Sequence, residues 1–566
     1  NFDAFIAHET IMTSTDVNSM AKNYTVRPEG LTLSNAIQMS AVEGSSTTTA
    51  LESYFAQARY NYNEKYFFHG TLRGDGSSKF AKGHRWGTFG SLGVAWLMSN
   101  EEFMQGVDLL RNLKLRASWG MLGNQGIPSF AYTNNYSIQN VNNYIAITQG
   151  YVGNPDLTWE HTSMWDAGVE FSLGKYLDAE VVYFHKTTNN MLFDRSVAPS
   201  LGYSYYYVND GAMINQGVEF QFNVHAVNTN AFKFDIRLNG GHYTNKMTMM
   251  PLNNLGQRMD MNGSYSLGHS AYDYYMINYE GVNAETGEAV YTMFYDKKRA
   301  DDAGLTEEDI RSDEALASEY SVMSVHQHLL DSYMSEKEYA SLSAEEQDAA
   351  KAAGVIVVTE KELKDILNNP ETVLGKTTTT NANFASNYYV GKSATPKLQG
   401  GFGLDFQIYG VDLSATFQYS LGGYGMDYNY AYLMHSDQAG TMNWHKDIES
   451  SWRFDQPYEA DDRGITNECT PRLSNANDRY ANASSTRFLI SSNYLALSNV
   501  RIGYSFPKKW MEKIHLNTLN LWVSADNLFC LSARQGYIPM ASFTGQSSTD
   551  QYAPVTTIMG GIKISF

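Results

Sequence analysis

Few residues in this chain could carry chemistry. Arg73-Gly74-Asp75 has the form of an adhesion tripeptide, but it stands in Leu72-Arg73-Gly74-Asp75-Gly76-Ser77-Ser78-Lys79-Phe80. Gly and Asp are ordinary turn formers, so the string reads as a turn between two strands. His326-Gln327-His328 fails as a metal site because side chains at i and i+2 do not share a helix face. Cys469 and Cys530 are the only cysteines and belong to no C-x-x-C or Cys/His cluster. Neither a zinc site nor a disulfide framework is indicated, and a single bridge between them stays open. No G-x-S-x-G, H-E-x-x-H, P-loop or full G-x-G-x-x-G occurs. No spacing among the 60 acids singles out a glycosidase pair. The chain therefore reads as a non-enzyme with no catalytic residue, no metal and no cofactor. Positive binding chemistry rests with aromatic groups in loops: Tyr203, Tyr205, Tyr206 and Tyr207 in one, Trp444 and Trp452 in another. Flat rings stack on sugars and on peptides; the competing reading is loop packing or an aromatic girdle at a membrane interface.

The elements that would position these residues are strands. Apolar side chains recur on one parity over segments of about ten residues, with polar ones between them. Phe232, Phe234, Ile236 and Leu238 interleave with Lys233, Asp235, Arg237 and Asn239. Leu113, Leu115, Ala117 and Trp119 alternate with Lys114, Arg116 and Ser118. Val411, Leu413, Ala415, Phe417 and Tyr419 alternate with Asp412, Ser414, Thr416 and Gln418. Leu519, Leu521, Val523 and Ala525 do so with Asn520, Trp522, Ser524 and Asp526. On the order of 14 such strands are expected.

Composition agrees. The 566 residues include 40 Tyr, 45 Gly and 27 Phe, and Tyr and Phe favour strands. A net charge of −19 argues against a nucleic-acid partner, whose recognition needs clustered basic charge. No unbroken apolar run exceeds five residues, against roughly 18 to 20 for a spanning helix, so a helical membrane protein is excluded. No apolar h-region or cleavage site opens the chain, which suits a processed or partial sequence.

Two architectures make this alternation: a soluble sandwich, whose apolar face meets a second sheet, and a transmembrane antiparallel barrel, whose apolar face meets lipid. The connections favour the barrel. Tyr409-Gly410 turns directly from one strand into the next, a long loop from about Leu421 to Thr486 follows, and Pro507 to His515 makes another short link. Short periplasmic turns alternating with long outer loops are the barrel pattern. The last strand carries Ile562, Ile564 and Phe566 on one parity and ends on that aromatic, as a barrel C-terminal signal would.

Between Asp301 and Asn369 stand 17 Asp+Glu and 5 Lys+Arg, −12 of the total −19. Ser335 with Glu338, Ser343 with Glu346, Thr359 with Glu362 and Thr306 with Asp309 have capping-box spacing, and Gly354 suits a helix stop. The expected organisation is barrel strands and loops over 1–300, an acidic helical insert in an extracellular loop over 301–369, and C-terminal barrel strands and loops over 370–566. The insert reads as a solvated decoration or as a partner-docking element.

Taken in order, several local strings resemble the SusC/RagA-like branch of the TonB-dependent outer-membrane transporters. They are Arg59-Tyr60-Asn61-Tyr62 with Tyr66; Leu72 to Phe80; Arg85-Trp86-Gly87 and Trp96; Leu113 to Gly120 with Gly123-Asn124-Gln125; and Asn154-Pro155-Asp156-Leu157-Thr158-Trp159-Glu160. Towards the end come Pro471-Arg472-Leu473, Tyr494-Leu495, Asn499 to Tyr504, Asp526-Asn527-Leu528-Phe529 and Phe566. The resemblance implies a plugged barrel of about 22 strands in the outer membrane of a Gram-negative bacterium. It also implies a SusD-like surface lipoprotein as partner, energy from TonB-ExbB-ExbD through an N-terminal plug region, outer-membrane lipid around the barrel, and import of oligosaccharides or oligopeptides. The chain lacks a plug and a TonB box and has too few strands to close that barrel, so it resembles the C-terminal barrel portion of a longer transporter. The alternatives are a surface-exposed β-rich binding or adhesion protein and a passive porin.

Overall fold

The computed structural model describes residues 1–26, 32–141, 144–197, 200, 202–203, 205–229, 231–250, 267–434, 443–473, 484–548 and 552–566. Two compact units are formed, one from residues 1–103, 114–167 and 186–212, the other from 104–113, 168–185 and 213–566. Among the described residues, fourteen strands belong to the large antiparallel sheet. They are β1 (Phe2–Thr25), β2 (Ala36–Tyr62), β3 (Tyr66–Ser77), β4 (Trp86–Leu97), β5 (Leu110–Asn124), β6 (Glu160–Leu173) and β7 (Leu177–Asn189). The others are β8 (Ala212–Asn228), β9 (Phe232–Met249), β10 (Leu398–Ile408), β11 (Val411–Leu421), β12 (Tyr494–Ser505), β13 (Thr518–Ser532) and β14 (Thr557–Ser565). In the first unit each of β1 to β5 pairs with the next. In the second, β9 to β14 do the same.

Turn chemistry explains the registers. Asn63 and Glu64 (φ 52° and 55°) link β2 to β3, and Tyr409 and Gly410 (φ 46° and 88°) link β10 to β11. Two consecutive residues with positive φ match the right-handed twist of the flanking strands, in a three-residue link closed by Lys65 at the first hairpin and a two-residue link at the second. In the second unit the link at Tyr409 and Gly410 is short, whereas residues 250–397 and 422–493 separate successive strands at the opposite end of β9 to β12.

The alternating pattern resolves into two distinct faces. Leu72, Leu92, Val523 and Ile562 are 61, 63, 57 and 67 % exposed, and among the described residues no second sheet covers them, as the inner face of a sandwich would require. Aromatic rings flank this bare face in the first unit. Tyr60, Tyr66, Phe68 and Trp96 stack near the short-turn end, and Tyr54 and Trp86 approach at 6.1 Å near the other. From Tyr66 to Gly76 the strand rises about 33 Å, or about 25 Å after tilt, the height of a barrel's apolar band.

Close approach governs one site in the second unit. A Cβ on Gly240 would come within 2.7 Å of Phe220 and of the Tyr419 hydroxyl, and one on Gly400 within 2.1 Å of the Asn239 carbonyl. These two glycines, cross-strand partners, leave room for the Tyr419 hydroxyl to donate to Asn239 O at 3.0 Å.

One reading is corrected. Arg73-Gly74-Asp75 lies inside β3, paired with Phe89, Thr88 and Gly87 of β4, and forms no turn. The glycines at 74 and 76 occupy the lipid parity of an ordinary alternation; counting them as turn formers hid it.

The large insertion of the second unit has its own core. Its centre is the strand Ala289–Tyr295, buried throughout and paired with Tyr279–Asn283 on one side and Gly375–Thr379 on the other. Seven helices follow it: α1 (Lys297–Asp302), α2 (Glu307–Ser312), α3 (Glu314–Tyr320), α4 (Val325–Ser332), α5 (Glu336–Ser341), α6 (Ala344–Ala352) and α7 (Glu360–Asn368). Met293 and Tyr295 pack on Ile310, Ala317 and Tyr320; Phe294 packs on Val325, Leu329 and Leu374. All four capping boxes form, at Thr306, Ser335, Ser343 and Thr359. Gly354 (φ 79°) ends α6, donating to Lys351 O while Val355 donates to Ala350 O, a bonding pattern that satisfies the last carbonyls. Helix α1 starts ahead of Asp301 because Asp296 caps it, accepting from Arg299 N at 3.0 Å.

Candidate functional site

The polar parity of the strands carries charge in matched pairs. In the first unit Arg73 lies 2.6 Å from Asp75 and 3.0 Å from Glu9 and donates to Ser53 Oγ, while Arg116 pairs with Asp166. In the second, Arg237 grips Asp405 through Nε and Nη2, and Arg501 meets Asp412 at 2.6 Å. The His225 ring stands 2.6 Å from Asp235 and 3.2 Å from Asp178. Each cation sits on one strand and its partner mostly on the next, so the pairs brace the sheet on the side where a lumen would be.

Three of the strings that carry the family resemblance, around residues 77–89, 124–127 and 154–160, converge in space. Phe80, Phe89, Ile127, Leu157 and Trp159 form one buried core in the first unit. Trp159 Nε1 donates to Arg85 O at 2.8 Å, Ser77 Oγ donates to Gln125 Oε1, and Lys79 Nζ reaches Ile127 O at 2.9 Å. Asn124 Nδ2 donates to Glu160 Oε1. These strings, far apart in sequence, are thus the parts of one packed cluster beside the strands.

The tyrosine group divides. The strand Tyr205–Asn209 pairs with Leu192–Ser196, which puts Tyr205 and Tyr207 on one face and Tyr206 on the other. Tyr205 stacks on Tyr151 at 5.8 Å, and Tyr207 meets both rings edge-on. Burial pushes the Tyr207 hydroxyl up to about 12, and its ring packs on the Phe80–Trp159 core. Tyr206 lies under the Arg195 guanidinium. Tyr203 is half-buried nearby in sequence. Tyr151, the ring that completes this cluster, carries no local signal, since its partners are more than fifty positions away.

Trp452 is engaged in loop packing. Its Nε1 donates to Ala284 O at 2.8 Å, it covers Gly287, and it stacks on Tyr458. Trp444 is the more exposed of the two indoles, at 39 %. The tryptophans lie in the second unit and the tyrosines in the first. Sequence reasoning missed a buried latch in the second unit: Asp427, 3 % exposed, is 2.9 Å from Arg534 and accepts from Ser547 Oγ and Tyr430 N. The Arg534 guanidinium lies 3.5 Å from the Tyr430 ring centre. Asp427 had a local signal, as the N-cap of the helix Tyr428–Leu433, but Arg534 had none.

Both cysteines are free thiols. Among the described residues no group of three or more His, Cys, Asp or Glu is placed to hold a metal ion, and no helix is long and apolar enough to cross a membrane. His326 is buried on α4 against His269 and Tyr389.

A bare apolar parity with aromatic borders, a charge-paired polar parity and long loops at one end define a transmembrane β-barrel of the outer membrane of Gram-negative bacteria. The family model described as TonB dependent receptor-like, beta-barrel matches residues 12–309, and the chain belongs to that family, whose members are transport proteins and not enzymes. The chain is 30% identical over 277 residues to the TonB-dependent receptor SusC of Bacteroides thetaiotaomicron, covering 44% of this chain and 27% of that protein. It is 25% identical over 546 residues to the TonB-dependent receptor P39 of Formosa agariphila, covering 92% of this chain and 47% of the relative. A solved structure of the RagAB peptide importer shares the fold, with a TM-score of 0.71, 21% identity, and coverage of 100% of this chain and 53% of that one. The chain spans about half the length of the relatives it matches from end to end.

Proposed function

We propose that this chain is the barrel portion of a SusC/RagA-like importer that takes up oligosaccharides or oligopeptides through the outer membrane. A SusD-like surface lipoprotein is its lid, and TonB-ExbB-ExbD supplies energy through the plug region of the longer protein. The similarity to SusC over 277 residues carries this reading, supported by the order of the shared strings. The acidic insert is part of the loop surface available to substrate or lid. Tyr203, Tyr205, Tyr206, Tyr207, Trp444 and Trp452 are proposed substrate contacts. Trp444 is the strongest, because it is exposed, whereas Tyr205, Tyr206, Tyr207 and Trp452 are already packed against protein.

The test is a pull-down of the tagged full-length protein from detergent-solubilised outer membrane, with mass spectrometry of what accompanies it. A SusD-like lipoprotein is expected. Its absence would move weight to the surface-binding alternative. A glycan or peptide retained on the captured lipoprotein would assign the substrate class.

A further inference from the structure

In the second unit the ladder between β9 and β10 opens into a fork. Its last pair is Gly241 with Gln399, and just beyond it the His242 ring donates from Nδ1 to Lys397 O at 2.7 Å. Each segment then takes a new partner from the stretch 269–272: Met247 N donates to His269 O and Ala394 N to Tyr272 O, both at 2.8 Å. A cavity of about 490 Å³ occupies this fork, and residues 422–424 after β11 and Ser491 and Asn493 before β12 complete its lining. Its volume is that of a small-molecule site, and it lies at the end of β9 to β12 that carries the long insertions.

The charge of this lining runs against that of the chain. Among the described residues Lys246, Lys392, Lys397 and His242 line it with one carboxylate, Asp273, whereas the whole sequence has 60 acids to 41 Lys+Arg. Asp273 is engaged on its own loop, accepting from Ser270 N at 3.0 Å and lying 3.5 Å from His269 Nδ1. Lys392 donates to the neutral Tyr424 hydroxyl at 2.9 Å, and Lys246 and Lys397 form no ion pair among the described residues. No Leu, Ile, Val or Met contributes to the lining; Thr244, Ser270, Ser393, Thr395, Ser491 and Asn493 bring hydroxyls and an amide instead. Such groups match the hydroxyls of a sugar, and ammonium groups match a carboxylate or sulfate through charge-assisted hydrogen bonds. The apolar side chains of a peptide would find no aliphatic wall here.

We propose that this cavity captures an acidic sugar unit of the imported substrate, its carboxylate or sulfate on Lys246, Lys392 and Lys397 and its hydroxyls on the Ser, Thr and Asn side chains. The proposal rests on the importer reading and narrows it to anionic glycans. The full-length protein in mild detergent is titrated calorimetrically with an oligogalacturonate, a sulfated oligogalactose, the neutral oligogalactose, and tetraglutamate as an acidic peptide. At least one acidic saccharide is expected to bind more tightly than the neutral one, and which of them does so assigns the anion. K246A and K397A are each expected to weaken that binding about tenfold, the size of one charge-assisted hydrogen bond. K246E should lose more than K246A, and K508A, in the short link at the opposite end of the strands, should match wild type. All three lysines are exposed, so their removal leaves the fold in place. Equal affinity for acidic and neutral saccharides, no binding of any saccharide, or unchanged binding in a K246A/K392A/K397A variant overturns the proposal. Tetraglutamate binding as tightly as the acidic saccharides would overturn the sugar assignment in favour of an acidic peptide. No step reads transport, so TonB-dependent uptake of a neutral glycan would preserve the importer reading if this site fails.

Discussion

At the residue scale the clearest consequences come from groups whose partners lie far away in sequence. Asp427→Ala leaves Arg534 without its carboxylate and Ser547 without its acceptor. Breaking a largely buried pair costs about 3 kcal/mol, so proteolysis should open the loops around residues 421–434 and 532–548 while the strands stay protected. Equal cleavage in wild type and variant would show that the latch holds nothing. Phe417 stacks on Phe402 at 4.6 Å on the lipid parity, and Gln418 is exposed on the other. Phe417→Arg places a cation in hydrocarbon at roughly 2 to 4 kcal/mol, whereas Gln418→Arg is tolerated. Unfolding from lipid bilayers measures both, and the order should not reverse.

The helical insert answers at the scale of elements. The Thr306 side chain and backbone hold Asp309 below the usual carboxylate range, and the backbone N–H groups of Ser343 and Thr359 do the same for Glu346 and Glu362. A folded value lowered in this way contributes stability above the ordinary range near 4, and that contribution is lost as pH falls through the depressed values. Ellipticity at 222 nm should therefore fall between pH 5 and pH 3, and less steeply in a S343A/T359A variant that has already lost two caps. Gly354→Ala forces a Cβ into a left-handed conformation and is expected to cost about 1 kcal/mol in α6. These caps were legible in sequence because each joins residues three apart. The strand Ala289–Tyr295 was not, since it is buried on both faces and shows no alternation.

For the whole molecule, the decisive quantity is what the apolar parity touches. A lipid-soluble photoreactive probe should label Leu72, Leu92, Val523 and Ile562 and spare Arg73 and Asp405; labelling of both parities alike would contradict a membrane-spanning sheet. The alternation that places these residues was plain in the sequence, because a period of two is a property of the backbone itself. Its environment was not, since lipid and a second sheet select the same side chains. Bare side chains on one face, bordered by aromatic rings, separate the two.

By itself the sequence carried much that depends on neighbours within a turn or two: the alternation of most strands, the Tyr409-Gly410 hairpin, the four capping boxes, and the ordered strings that mark the family; Arg73-Gly74-Asp75, inside β3, is the local string it misled on. Tertiary structure alone decided that the strings around residues 77–89, 124–127 and 154–160 meet in one core around Trp159, that Tyr207 and Trp452 are held in packing, and that Asp427 finds Arg534. Contacts of that kind join residues as far as 168 positions apart, and no local preference of the chain encodes which distant segment will close the loop.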